Sequence, residues 1–173
     1  MSKLFLDSIT KEFNRYKGYG DQTLQRLTLD QMLWEPSADV NSVAVLVKHM
    51  SGNMKSRFTN FLTEDGEKSW RHRDQEFSVH FESKEEVIAL WEDGWDILFT
   101  ALGEVNEDNF DTTVYIRAEA HSITHALHRQ LAHYASHTGQ MMYLGKIILG
   151  DEWTSLSIPL GQSAAFNQKM FGK

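Results

Sequence analysis

Apolar residues recur at three- and four-residue steps through most of this chain, the period of one buried helix face. The spacing of Leu4, Phe5, Ile9, Phe13, Tyr16, Leu24 and Leu27 predicts a first helix over 2–27, with Gly18 and Gly20 as places where it can bend or break. The stretch "LWEPSADVN" (33–41) reads as a loop from its Pro, Ser, Asp and Asn content. A second helix is predicted over 42–62, its stripe formed by Val43, Leu46, Val47, Met50, Met54, Phe58 and Phe61. The polar run "TEDGEKSWRHRDQEFSVHF" (63–81) is long for a connection between bundle helices, which predicts a functional or packed loop. "SKEE" (83–86) matches a capping box, with Ser83 as N-cap and Glu86 three residues on. It opens a third helix to about 102, with Val87, Leu90, Trp91, Leu98 and Leu102 facing inward. "TTVYIRAEAHS" (112–122) has a β-branched start that suits a short extended segment. A fourth helix is predicted over 122–149, stopped by Gly150, and a short extra helix near 161–170. The resulting expectation is an all-α fold, a four-helix bundle forming one domain over 1–173.

Composition narrows the chemistry. The 173 residues include no cysteine, which removes disulfides, thiolate metal sites and a cysteine nucleophile, while leaving an external thiol free to be a substrate. A formal net charge of −7 disfavours nucleic acid, whose binding depends on neutralising phosphates. The one basic cluster, Lys68–Arg73, is expected to be a solvated loop with Trp70 tucked under it. "MSKLFLDSITKEF" lacks the apolar core of a signal peptide, and no apolar run is long enough to span a membrane, so a cytoplasmic protein without membrane partners is expected. Trp70, Trp95 and Trp153 fall outside the clear stripes and are candidates to cover an interface in a homodimer.

The candidate chemistry lies in "LAHYASHTGQ" (131–140), where His133 and His137 are four residues apart and so share a helix face. They sit at the edge of the stripe made by Ala126, Tyr134, Met141 and Ile148. Two ligands rarely make a metal site, and the candidate third is His49, beside Met50 of the second helix, with Gly52 leaving room one turn on. Three imidazoles without a fourth protein ligand are the pattern of a catalytic site with an open position. The alternative is a set of inert core-edge histidines, because spacing alone does not bring the second and fourth helices together. His121, His125 and His128, with His72 and His80 in the loop, read as surface or helix-start residues. Arg129 is one turn before His133, where it can pair with a substrate carboxylate or phosphate, or with an acid of another helix. Asn53 and Gln140, each within a turn of a candidate ligand, can orient it or cap buried polar groups.

Longer blocks carry a resemblance. "NSVAVLVKHMSGNM" (41–54), "RQLAHYASHTGQMMYLGK" (129–146) and "SIPLGQSAAFNQ" (157–168), with "WEP" and "DGEKSWRHRD" around the second helix, resemble the DinB/YfiT-like superfamily, and look closest to a bacterial branch without assigned function. The resemblance covers nearly the whole chain. It implies a four-helix bundle with up-down-down-up connections and a divalent metal, usually zinc or nickel, held by His49, His133 and His137. It also implies a small-molecule substrate and frequent dimers. Relatives in that superfamily include metal-dependent transferases that join a low-molecular-weight thiol to an electrophile, and hydrolases. The leading expectation is therefore thiol S-transfer, the metal holding the incoming thiol as thiolate, the competent nucleophile. A hydrolase usually wants a nearby general base as well; no acid lies within a turn of the three histidines, so it would have to be one that reaches the site in space, such as Glu35, Asp39, Glu119 or another acid. A third reading, from a different class, is a non-catalytic bundle that binds a small ligand or metal.

Overall fold

The computed structural model describes residues 2–172, which are mostly helical. Helix α1 spans Ser2–Arg26 without a break at either glycine. Gly20 serves packing instead: a Cβ there would overlap the indole of Trp91, so the missing side chain lets α1 close onto the helix that carries that tryptophan. Ile9, Phe13 and Leu24 are buried as expected, but Leu4 is 78% exposed and belongs to no core. A short helix α2, Leu29–Leu33, follows, between the first predicted helix and the loop predicted from residue 33; it is started by a capping box between Thr28 and Gln31.

Helix α3, Val43–Phe58, is the expected second helix, opened by the Ser42 hydroxyl accepting from Val45 N–H. Thirteen of its sixteen residues are buried, so it is enclosed on nearly every side rather than amphipathic. It ends earlier than the stripe predicts, because the chain turns at Asn60, where φ is 51°; Phe61 is buried from outside the helix. Helix α4, Lys84–Glu104, starts at Ser83, whose hydroxyl accepts from Glu86 N–H; the Glu86 carboxylate accepts from Glu82 N–H, one residue earlier than a strict box. The expected extended segment is a complete hairpin, β1 (Thr113–Ile116) paired antiparallel with β2 (Glu119–Ser122), so that Val114 faces His121 across the pair. Helix α5, Ile123–Leu149, begins at the Ser122 cap and stops at Gly150, whose φ of 53° continues no α-helix. A short exposed helix α6, Ser163–Phe171, lies in the tail.

The four long helices form a closed ring of contacts: α3 packs on α4 and α5, and α1 packs on α5 and α4. At its centre Trp95 is fully buried, meeting Phe13, Trp91 and Tyr134 edge to face. The expectation that Trp95 lies at an interface is therefore corrected: it is core, on the buried face of α4 with Val87, Trp91, Leu98 and Leu102. Trp153 is half-buried, under the Arg26 guanidinium and against Gly145.

The loop after α3 also departs from expectation. Rather than a solvated basic loop over a buried tryptophan, it turns its cations in and its aromatic out: Lys68 and the Arg71 side chain are buried, while Trp70 is 52% exposed. The physical reason is that each buried cation has a carboxylate, Glu64 at 2.7 Å for Lys68 and Glu76 for Arg71. Arg57, at the end of α3, donates to Gly66 O and pairs with Glu67 at 3.1 Å. The loop is tied to the hairpin through Asp65, whose carboxylate accepts from the backbone N–H groups of Glu67 (2.7 Å), Arg117 (2.8 Å) and Ala118 (2.6 Å).

Candidate metal centre

The contact between α3 and α5 that spacing leaves open is present, and it brings the three histidines together. One ring nitrogen from each of His49, His133 and His137 lies within 4.8 Å of the others, close enough to hold a metal ion. Nε2 of His49 and Nε2 of His133 are 3.2 Å apart. Two nitrogens bound to one tetrahedral zinc, with bonds of ~2.0–2.1 Å, are about 3.3 Å apart, so the observed spacing fits such an ion. The rings of His133 and His137 meet edge to face at 4.6 Å, as residues one turn apart on α5 must.

Two of the three imidazoles are oriented by a hydrogen bond through Nδ1, leaving Nε2 with a free lone pair. For His49 the acceptor is Glu76 Oε2 at 2.9 Å. For His137 it is Gln140 Oε1 at 3.1 Å, which places Gln140 behind a candidate ligand. Glu76 is the functional residue that sequence reasoning misses. It stands 27 residues from His49 in the loop, and Arg71 grips it with Nε on Oε1 (2.8 Å) and Nη2 on Oε2 (3.0 Å). Burial acts to raise its pKa, but the hydrogen bonds from His49 and Arg71 and the Arg71 charge outweigh it and hold the carboxyl below its ordinary value. Gly52 makes room here, but for Glu76 rather than for His49: a Cβ at residue 52 would overlap the Glu76 carboxylate.

The electrostatics of His133 and His137 favour the neutral ring. Burial pushes His133 down to about 3, helped by His137, His49 and the positive charges of Arg57 and Arg71. Burial also lowers His137, against the raising effect of its Gln140 hydrogen bond. Neutral imidazole is the form that donates to a metal.

The histidines open into a cavity of about 380 Å³ that Asn53, Phe77, Arg129 and Gln130 help to line. Asn53 is fixed there by the Tyr134 hydroxyl, which donates to its Oδ1 at 2.9 Å. Arg129 reaches the cavity from α5, with its nearest carboxylate, Glu119, at 3.8 Å. His121 is a further correction: it is buried at 4% exposure on β2, with Nδ1 3.1 Å from His125 Nδ1 and Nε2 3.3 Å from Arg129. His72, His80, His125 and His128 are exposed.

Among the described residues no helix is long and apolar enough to cross a membrane. A family described as "Protein of unknown function (DUF1572)" matches residues 1–162. No curated protein and no solved structure matches the chain.

Proposed function

Since the chain belongs to that family of unknown function, we propose a function from the site itself: a metal-dependent enzyme, a four-helix bundle of the DinB/YfiT type, that transfers a low-molecular-weight thiol to an electrophile. The observation that carries the reading is a three-histidine cluster opening into a cavity that no aspartate or glutamate lines. His49, His133 and His137 would hold a divalent ion, zinc or nickel as the superfamily resemblance implies, both of which imidazole donors suit. When bound, such an ion supplies a Lewis acid with an open position that acidifies the thiol or water placed there. Glu76 fixes the tautomer and plane of His49, and Gln140 does the same for His137. Arg129 and Asn53 face the cavity as substrate-binding residues.

The rival reading, hydrolysis, usually draws on a nearby base to take a proton from the attacking water. Glu76 is committed to His49 and Arg71 through both oxygens. Glu119 is 69% exposed and beside His121, and Glu35 and Asp39 are exposed in the loop before α3. Thiol transfer depends less on such a base, because a thiol coordinated by the ion would be deprotonated outright. The test is to incubate the metal-loaded protein with a cellular thiol and a model electrophile, and separately with esters and amides in the absence of thiol. Conjugate formation that depends on both metal and thiol is expected. Ester or amide cleavage without thiol would establish the hydrolase, and stoichiometric metal with turnover in neither assay would leave a binding protein.

A further inference from the structure

The cavity beside the histidines has a composition at odds with the rest of the molecule. Of the seven arginines in the sequence five line it, Arg57, Arg71, Arg73, Arg117 and Arg129, while none of the nine lysines among the described residues does. They arrive from four separate segments: the end of α3, the loop after it, the hairpin turn and α5. A chain of net charge −7 has thus gathered its guanidinium groups, and not its ammonium groups, at one concave site. Guanidinium presents a planar fork that matches the oxygens of a carboxylate or a phosphate, which an ammonium does not.

The protein's own carboxylates do not use up this charge. Glu67 is shared between Arg57 at 3.1 Å and Arg117 at 2.9 Å, and Glu76 is taken by Arg71. Arg73 has no carboxylate partner among the described residues and lies over the Phe77 ring at 5.1 Å. Even with Glu119 credited to Arg129 at 3.8 Å, two guanidinium charges have no carboxylate of their own. Inside the wall, Nη1 of Arg71, on a side chain only 2% exposed, has no hydrogen-bond partner among the described residues, and neither has Oε1 of the buried Gln130.

We infer that the ligand of this cavity is a small molecule carrying at least two oxyanionic groups, carboxylates or phosphates, which Arg73, Arg117 and Arg129 grip while its reacting group faces the three histidines. The cavity volume of about 380 Å³ suits a small ligand and not a polymer. Behind those three arginines, buried Arg57, which shares Glu67 with Arg117, adds positive potential rather than direct grip, and Arg71 is committed to Glu76. The inference rests on the reading that the histidine-lined cavity is the reaction site.

Titration calorimetry of the full chain tests it, with inorganic pyrophosphate as the phosphate probe and tricarballylate as the carboxylate probe, each before and after chelator treatment. Metal content is measured on the same samples. At least one probe is expected to bind in both states, more weakly at high salt, and each of Arg73→Gln, Arg117→Gln and Arg129→Gln should weaken it about tenfold. Lys11→Gln, on an exposed face of α1, should change nothing. Binding of pyrophosphate alone identifies a phosphate ligand, and of tricarballylate alone a carboxylate. Failure of both probes to bind overturns the inference, as does binding that the three arginine variants leave unchanged in protein whose helicity is intact. Metal retained without anion binding would sink this inference and spare the metal site; anion binding by protein that never holds metal would do the reverse.

Discussion

At the residue scale the site depends on single side chains, and each can be tested. His49→Ala, His133→Ala and His137→Ala should each remove most bound metal, since every loss leaves two ligands. His121→Ala and His125→Ala should leave metal content unchanged, because those rings contact each other and Arg129. Glu76→Gln should weaken metal affinity about 10–100-fold by loosening the His49 tautomer, with Gly52→Ala acting the same way by displacing the carboxylate. A chelator competition measures all of these. The pH dependence has a definite sign. Protons compete with metal as pH falls, and free imidazole would lose that competition around pH 6.5. With His133 pushed down to about 3 and His137 also lowered, chiefly by burial, those rings stay neutral further into acid, so half-release of metal should fall below the free-imidazole value. Release centred at or above it would show that burial does not protect these rings.

At the element scale, the helices could be read from sequence because their apolar periods are local properties. Gly18 and Gly20 are the exception that shows why: the sequence presents two like residues, and the structure gives them different roles. Nothing lies near a Cβ at residue 18, so Gly18→Ala should stabilise the protein by about 0.5–1 kcal/mol through backbone entropy. Gly20→Ala forces the buried Trp91 indole to move and should cost about 1–3 kcal/mol. Chemical denaturation of the pair separates local from tertiary effects. The loop was not legible for the same reason. Its basic run looks solvated until Glu64 and Glu76 are seen to fold back onto it, and charge pairing across a loop has no period to read. Glu76 was hidden with it, whereas His133 and His137 were visible from one helical turn. Asp65 holds this loop to the hairpin. Burial acts to raise its carboxyl, but the N–H groups of Glu67, Ala118 and Arg117 and the Arg57 charge win and lower it. A depressed carboxyl stabilises the fold above its unfolded pKa and loses that effect as pH falls through its folded one. Asp65→Asn should therefore lower stability near neutrality, and the gap to the unmodified protein should close in acid, below about pH 4. A gap that persists unchanged in acid would mean that the carboxylate charge is not what secures the loop.

At the scale of the whole molecule, α3 and α5 supply the histidines from a rigid packed interior, while the loop and the hairpin bring the carboxylate and three of the five cavity arginines. The meeting of these parts is a tertiary fact that no spacing reports; the three histidines could be nominated from sequence, but not the acid-free, arginine-lined cavity beside them. The hairpin turn carries one more consequence. Arg117 and Ala118 both have positive φ, 57° and 60°, where glycine or asparagine is at ease and other L residues are strained. Stability alone would therefore favour glycine at both places, yet the turn presents an arginine to the cavity. A population of variants selected only for heat resistance should drift toward glycine at residue 118 without penalty, and at residue 117 only by surrendering anion capture. A protein tuned for persistence and one tuned for its ligand would part company at that single backbone position.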